Sequence, residues 1–154
     1  MKKEHGFTLL ELIVVIVILG ILATLGFTQY NKVVEKMRIS EAVAGISSIR
    51  KLVHTYWLEH GDLSTITNAD VGVGSNPGDI PTTCVSTNYF YYFVNQQTQI
   101  KLQIQAPRCT SGGKSPNWTG NRYEIYMDYY PGTGSGTLYC WDYVLGQNVS
   151  WCQP

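Results

Sequence analysis

Charge is scarce in this chain. Asp, Glu, Lys and Arg make up only 14% of its 154 residues and balance to a formal net charge of zero. The few cations of the C-terminal part, Lys101, Arg108, Lys114 and Arg122, lie far apart in sequence, so nothing points to nucleic acid as the main partner. No two cysteines stand at C-x-x-C spacing, which argues against a zinc site or a thioredoxin-like redox site. No Walker, Rossmann or H-E-x-x-H pattern occurs, so there is no nucleotide site and no zincin site. The histidines, His5, His54 and His60, form no nucleophile–base–acid set, and the latter two read as solvated helix residues. Asp62, Asp70 and Asp79 have the wrong spacing for an EF-hand. The expectation is a chain that is not an enzyme, with no metal and no cofactor. Its aromatics, 12% of residues, fall mostly in strand patterns and read as packing rather than as an electron path.

What is present is a long apolar run with one acid at its mouth. From Phe7 to Tyr30 the only ionisable side chain is Glu11, and Leu12 to Asn31 carries no charge. About 20 apolar residues suffice for a helix to cross a bilayer. An acid at the centre of such a helix costs about 2.5–3.5 kcal/mol on insertion scales, and less near the end. Such a charge calls for a partner, and the nearest candidate is the amine that cleavage after Gly6 would create on Phe7. The N-terminus is not an ordinary secretory signal. There the small-residue cleavage site follows the apolar stretch, whereas here Gly6 precedes it, so a cut at Gly6 leaves the apolar helix in the mature protein. Lysines flank the run on both sides and hardly decide its orientation. The four cysteines do, because disulfides need an oxidising compartment, which puts the leader in the cytoplasm and the C-terminal part outside.

The segment Lys2-Lys3-x-x-Gly6-Phe7-Thr8-Leu9-Leu10-Glu11-Leu12, with the apolar run behind it, resembles the class III signal of type IV pilins, and its short leader resembles the type IVa subclass. The resemblance covers about 30 residues; beyond them the chain agrees with the family in architecture alone. It implies that a prepilin peptidase cuts after Gly6 and N-methylates Phe7, and that Glu11 is the acid required for assembly. Gly20 matches a helix glycine of the family. Where many members have a proline about eight residues further on, this chain has Thr28, and Gly26 with Thr28 is expected to loosen the helix instead. Glycine in a helix interior costs about 1 kcal/mol relative to alanine.

Beyond the run, Ile39, Ala42, Val43, Ile46, Ile49, Val53, Tyr56 and Trp57 recur at steps of three and four, predicting an amphipathic helix that Gly61 ends. Asp62 to Pro81 reads as loop. Strands are expected at Tyr89–Val94, Ile100–Ala106, Tyr123–Tyr129 and Leu138–Val144, with a short one at Val149–Cys152. The fold class is α+β: a long N-terminal helix on a C-terminal antiparallel sheet, similar to the pilin ladle. The domains are a leader (1–6), a membrane and assembly half of the helix (7–30), an amphipathic half (31–60) and a globular sheet domain (61–154). Four cysteines allow three pairings; Cys84–Cys109 with Cys140–Cys152 is the favoured one. Asn117 and Asn148 begin glycosylation sequons.

The resulting expectation is a structural subunit of an extracellular type IV pilus filament, a homo-oligomer that serves adhesion, motility or DNA uptake. Its partners would be the prepilin peptidase, the assembly ATPase machinery and possible DNA or host surfaces; its places, the inner membrane as a precursor and the pilus when assembled. Alternatives are a pseudopilin of a type II secretion system, a minor pilin, or a membrane-anchored binding domain that never polymerises. The last leaves Glu11 unexplained, and the disulfide-rich end without an acidic calcium loop favours a pilin over a pseudopilin.

Overall fold

The computed structural model describes residues 8–114 and 122–153, apart from the side chains of Thr28, Asn31 and Lys32. Helix α1 spans Leu9–His60. It ends where the sequence places a glycine: Gly61 has φ +71°, a left-handed conformation that costs glycine little, and its N–H donates to Trp57 O at 2.7 Å. The chain divides into two compact units, residues 1–36 and 37–154.

In the first unit the helix shows no interruption at Gly20, Gly26 or Thr28. The expected loosening there is not seen. The helix keeps its hydrogen-bonded form without the proline that would have removed a backbone donor.

In the second unit the helix buries a single stripe. Ile39, Ala42, Ile46, Ile49 and Val53 are buried, with Val43, Tyr56 and Trp57 half-buried beside them. They meet Leu102, Ile104, Ala106, Ile125, Met127 and Tyr129 from the sheet in one apolar core. Full burial of such a side chain contributes about 1.5–3 kcal/mol, so this stripe is what holds helix and sheet together. Gly45 is needed in the same helix for a different reason. A Cβ there would overlap the ring of Tyr92, whose hydroxyl donates to Glu41 O at 3.0 Å.

The connection after the helix contains a turn of 3-10 helix, Ala69–Val71, and a short parallel pair, β1 (Val73–Gly74) with β2 (Ile80–Pro81). The main sheet is an antiparallel meander in chain order: β3 (Phe93–Asn95), β4 (Leu102–Pro107), β5 (Tyr123–Tyr130), β6 (Ser135–Asp142) and β7 (Gln147–Asn148). One register row runs Phe93, Gln105, Tyr126, Tyr139. The alternation in β5 sends Tyr123, Ile125, Met127 and Tyr129 into the core.

Several strand limits differ from the sequence expectation. The aromatic run Tyr89–Val94 pairs as a strand only from Phe93, because the amides of Tyr89 and Phe90 turn to the Glu41 carboxylate on α1, at 2.7 and 3.3 Å. Ile100 stays exposed in the turn before β4. The last strand is Gln147–Asn148 and not Val149–Cys152. Past it, Cys152 is buried and disulfide-bonded while Trp151 packs edge-on against Tyr123 at 5.2 Å, so the chain leaves the sheet edge.

Gly45→Ala is expected to lower the thermal midpoint of the full chain in detergent. Overpacking typically costs about 1–3 kcal/mol, more than the helix-propensity gain of about 1 kcal/mol. Circular dichroism melting checks this; an unchanged or raised midpoint would mean that the Tyr92 ring moves aside freely.

Candidate functional site

The mouth of the apolar helix is built by local hydrogen bonding. Thr8 precedes the first helical residue. Its N–H and its Oγ1 both donate to Glu11 Oε2, at 2.8 and 2.9 Å, and the Glu11 N–H donates back to Thr8 Oγ1 at 3.2 Å. This reciprocal pair is a capping box, which satisfies helix N–H groups that have no acceptor inside the helix. The negative carboxylate also lies where the helix dipole is positive. The sequence reading sought only an amine for Glu11 and missed Thr8. The signal was present: Thr8-Leu9-Leu10-Glu11 has the S/T-x-x-E spacing of a capping box. Gly6 and Phe7, the residues of the expected cleavage, N-methylation and salt bridge, lie outside the described residues.

From Leu9 to Phe27 the helix is long and apolar enough to cross a membrane, and none of that stretch is buried in the chain's own fold. Leu9, Leu10, Leu12, Ile13, Val14 and Ile18 are exposed around its circumference. A helix apolar on all sides needs lipid or other helices around it. Thr24 takes its hydroxyl out of the apolar surface by donating to Ile21 O at 2.8 Å.

In the second unit, Cys84 is linked to Cys109 and Cys140 to Cys152, with Cα separations of 5.7 and 5.8 Å. The second bond closes a loop around the β6–β7 hairpin. Its turn is set by Asp142, whose carboxylate accepts from Val144 N and Leu145 N at 2.8 and 3.1 Å, and by Gly146 at φ +63°. Tyr143, Val144 and Leu145 are thereby displayed to solvent. Closing a loop of this size stabilises the fold by roughly 2–4 kcal/mol.

One expectation about a helix side chain is corrected. His54 is not a solvated surface residue: it is half-buried, its Nδ1 lies 3.1 Å from Tyr129 Oη, and its ring stacks on Trp57. Glu41 is likewise committed to the strand amides described above, because backbone donors that leave a sheet ladder must find an acceptor elsewhere. His60 is exposed, with its ring stacked on Tyr56 at 4.1 Å. The three loop carboxylates cap their own turns: Asp62 accepts from Ser64 N, Asp70 from Thr67 N and Oγ1, and Asp79 from Asn76 N. Asn148 is exposed at the sheet edge, accepting from Tyr126 Oη at 3.3 Å; Asn117 lies outside the described residues.

Residues 1–27 match the family model described as the prokaryotic N-terminal methylation motif. The type IV major pilin protein PilE1 of Neisseria gonorrhoeae is 38% identical over 77 residues, half of this chain and 46% of that relative. The fimbrial protein of Neisseria meningitidis is 36% identical over 73 residues, 47% of this chain and 42% of that relative. By its N-terminal half the chain is similar to type IV pilins. The prepilin peptidase-dependent protein D of Escherichia coli is 36% identical over 75 residues, 49% of this chain and 51% of that relative. The chain thus matches about half the length of these relatives. The α+β architecture of a long N-terminal helix and an antiparallel sheet is the pilin arrangement.

One buried acid gives a pH dependence. Glu124 is buried in β5 and accepts from Tyr143 Oη at 2.5 Å. Burial raises its pKa above the ordinary carboxylate value, and the tyrosine bond only partly opposes this. The native state therefore holds the proton more tightly than the unfolded state, and stability falls as pH rises through the raised pKa. Glu124→Gln, which retains an acceptor for Tyr143, is expected to raise the thermal midpoint at pH 7 and to remove this decline. Melting curves from pH 4 to 8 measure it; a variant less stable at pH 7 with an unchanged pH profile would contradict the assignment.

Proposed function

We propose that the chain is a structural subunit of an extracellular type IV pilus filament, assembled through its N-terminal helix. The carrying observation is a carboxylate fixed by Thr8 at the mouth of an apolar helix that is uncovered among the described residues. The capping box orients Glu11 and leaves its negative charge uncompensated. A carboxylate has more acceptor sites than Thr8 occupies, and that capacity would receive the α-amine of Phe7 on a neighbouring subunit once the leader is removed after Gly6. Removing one partner of a buried ion pair typically costs about 3–5 kcal/mol, which gives an incoming subunit a definite axial register. The contact joins different surfaces of two subunits and does not close, so it propagates into a helical array. Before assembly the same apolar helix holds the precursor in the inner membrane.

On this reading the prepilin peptidase and the assembly ATPase machinery act on the chain from outside it, and the disulfide-braced sheet domain carries whatever adhesion, motility or DNA-uptake contacts the filament makes. The probable minor fimbrial protein of Dichelobacter nodosus, 38% identical over 53 residues, supports a minor-pilin role as the second reading. A pseudopilin would share the N-terminal features.

Charge and cap can be separated. Glutamine serves in a capping box as glutamate does, so Glu11→Gln removes the charge while keeping the cap. Thr8→Ala keeps the charge and weakens the cap by about 0.5–2 kcal/mol. We expect Glu11→Gln to be cleaved normally yet to give few or no sheared filaments by electron microscopy, and Thr8→Ala to assemble. The reverse pattern would show that the box, not the charge, directs assembly. Gly6→Val should abolish cleavage, leaving the full-length precursor on a gel.

A further inference from the structure

A cleft of about 730 Å³ opens between the segment before β3, the end of β4, the start of β5 and the residue after β6. That size lies within the usual range of about 300–1,000 Å³ for small-molecule sites. Its walls are held in place by covalent and backbone bonds. The Cys84–Cys109 disulfide fastens the Thr82–Thr83 wall to the Thr110–Ser111 wall. Arg108 N donates to Tyr123 O at 3.0 Å, and Tyr143 N donates to Arg122 O at 2.8 Å. A cleft shaped before the ligand arrives loses little conformational freedom on binding.

The lining has a definite chemistry. Arg108 and Arg122 both face the cleft, and no carboxylate lines it among the described residues. Two acids adjoin the lining in sequence: Glu124 accepts from the hydroxyl of Tyr143, a lining residue, and Asp142 accepts from the amides of its own turn. Arg108 is almost fully buried, held by Tyr89 O and Cys109 O at 3.0 and 3.1 Å and lying over the rings of Tyr89 and Phe90. Its charge is thus fixed in position, whereas Arg122 is exposed at the rim. Tyr91 and Tyr143 line the same cleft with Ser and Thr hydroxyls, and the Tyr143 hydroxyl, whose proton goes to Glu124, keeps its oxygen as an acceptor.

Two cations with no lining anion select a negative group, and arginine binds carboxylates in a planar, two-point manner. Ring faces combined with many hydroxyl donors and acceptors suit a ligand that is itself part apolar C–H surface and part hydroxyl. A bare inorganic anion would use only the cations, and a neutral sugar only the rest. We propose that this cleft binds a sugar ring bearing a carboxylate, with Arg122 as its principal charge contact and Tyr91 and Tyr143 as its stacking and hydroxyl contacts.

The test uses the full disulfide-bonded chain in detergent, with glucuronic acid as the probe, read by saturation-transfer difference NMR and calorimetric titration. Glucuronate is expected to bind saturably, more weakly as salt is raised. Glucose and acetate, each added alone, should fail to displace it at equal concentration. Arg122→Gln should weaken binding by about tenfold or more, since it removes a charge-assisted pair. Tyr143→Phe should weaken it by a smaller factor. Arg122 is exposed, so loss of fold is not expected in its variant, and its thermal midpoint verifies this. The absence of saturable binding, equal competition by acetate or by glucose, or unchanged affinity in Arg122→Gln would each overturn the proposal. No filament enters the readout, so failure here leaves the assembly reading untouched, and failure of assembly leaves this one untouched.

Discussion

A charged group at the entrance of an apolar helix must be satisfied by something other than water. In this chain the first answer is local. Thr8 gives Glu11 two donors and takes one in return, so the helix begins in a defined geometry with its carboxylate fixed on the first turn. Hydrogen bonds from a neutral threonine stabilise an anion without cancelling its charge. In a low-dielectric surrounding the remaining charge still favours a cation strongly. The local bonds and the proposed intermolecular pair therefore act in sequence. The first positions the oxygen atoms, and the second makes their position matter to a neighbour.

The second unit solves a different problem, that of a small sheet with a limited core. Its meander buries one face against the stripe from Ile39 to Val53, and Gly45 lets Tyr92 come close enough to bond the helix backbone. Glu41 accepts the amides of Tyr89 and Phe90 where the chain has left the ladder. Two disulfides add to this, the second with both of its cysteines inside the same core cluster. One braces the Thr82–Ser111 region and the other the terminal hairpin. Those are the regions with short strands or none, where backbone pairing alone gives the least order.

The features legible in the sequence were those carried by periodicity and punctuation. Steps of three and four fixed the buried helix face, alternation fixed β5, and Gly61 marked the end of the helix. The apolar stretch with its single acid needed only composition and order. Less legible were contacts between residues distant in sequence. Nothing near Glu41 announces that it will accept amides from Tyr89 and Phe90, and nothing near His54 announces Tyr129, because these pairings arise from how helix and sheet meet. Strand-like composition around Tyr89 misled for the same reason: β-propensity describes a surface to pack on and does not name the acceptor of each amide. The Thr8–Glu11 box was different. It is local, and its S/T-x-x-E spacing stands in plain view in the sequence.

The most direct measurement of the central claim is an internuclear distance in assembled filaments. Subunits labelled with 15N at Phe7 would be mixed equally with subunits labelled with 13C at the Glu11 carboxyl, so that only contacts between chains report by solid-state dipolar recoupling. The account predicts an intermolecular separation within about 4 Å, the reach of an ion pair. Filaments that form normally while showing no such dipolar coupling between chains would contradict it.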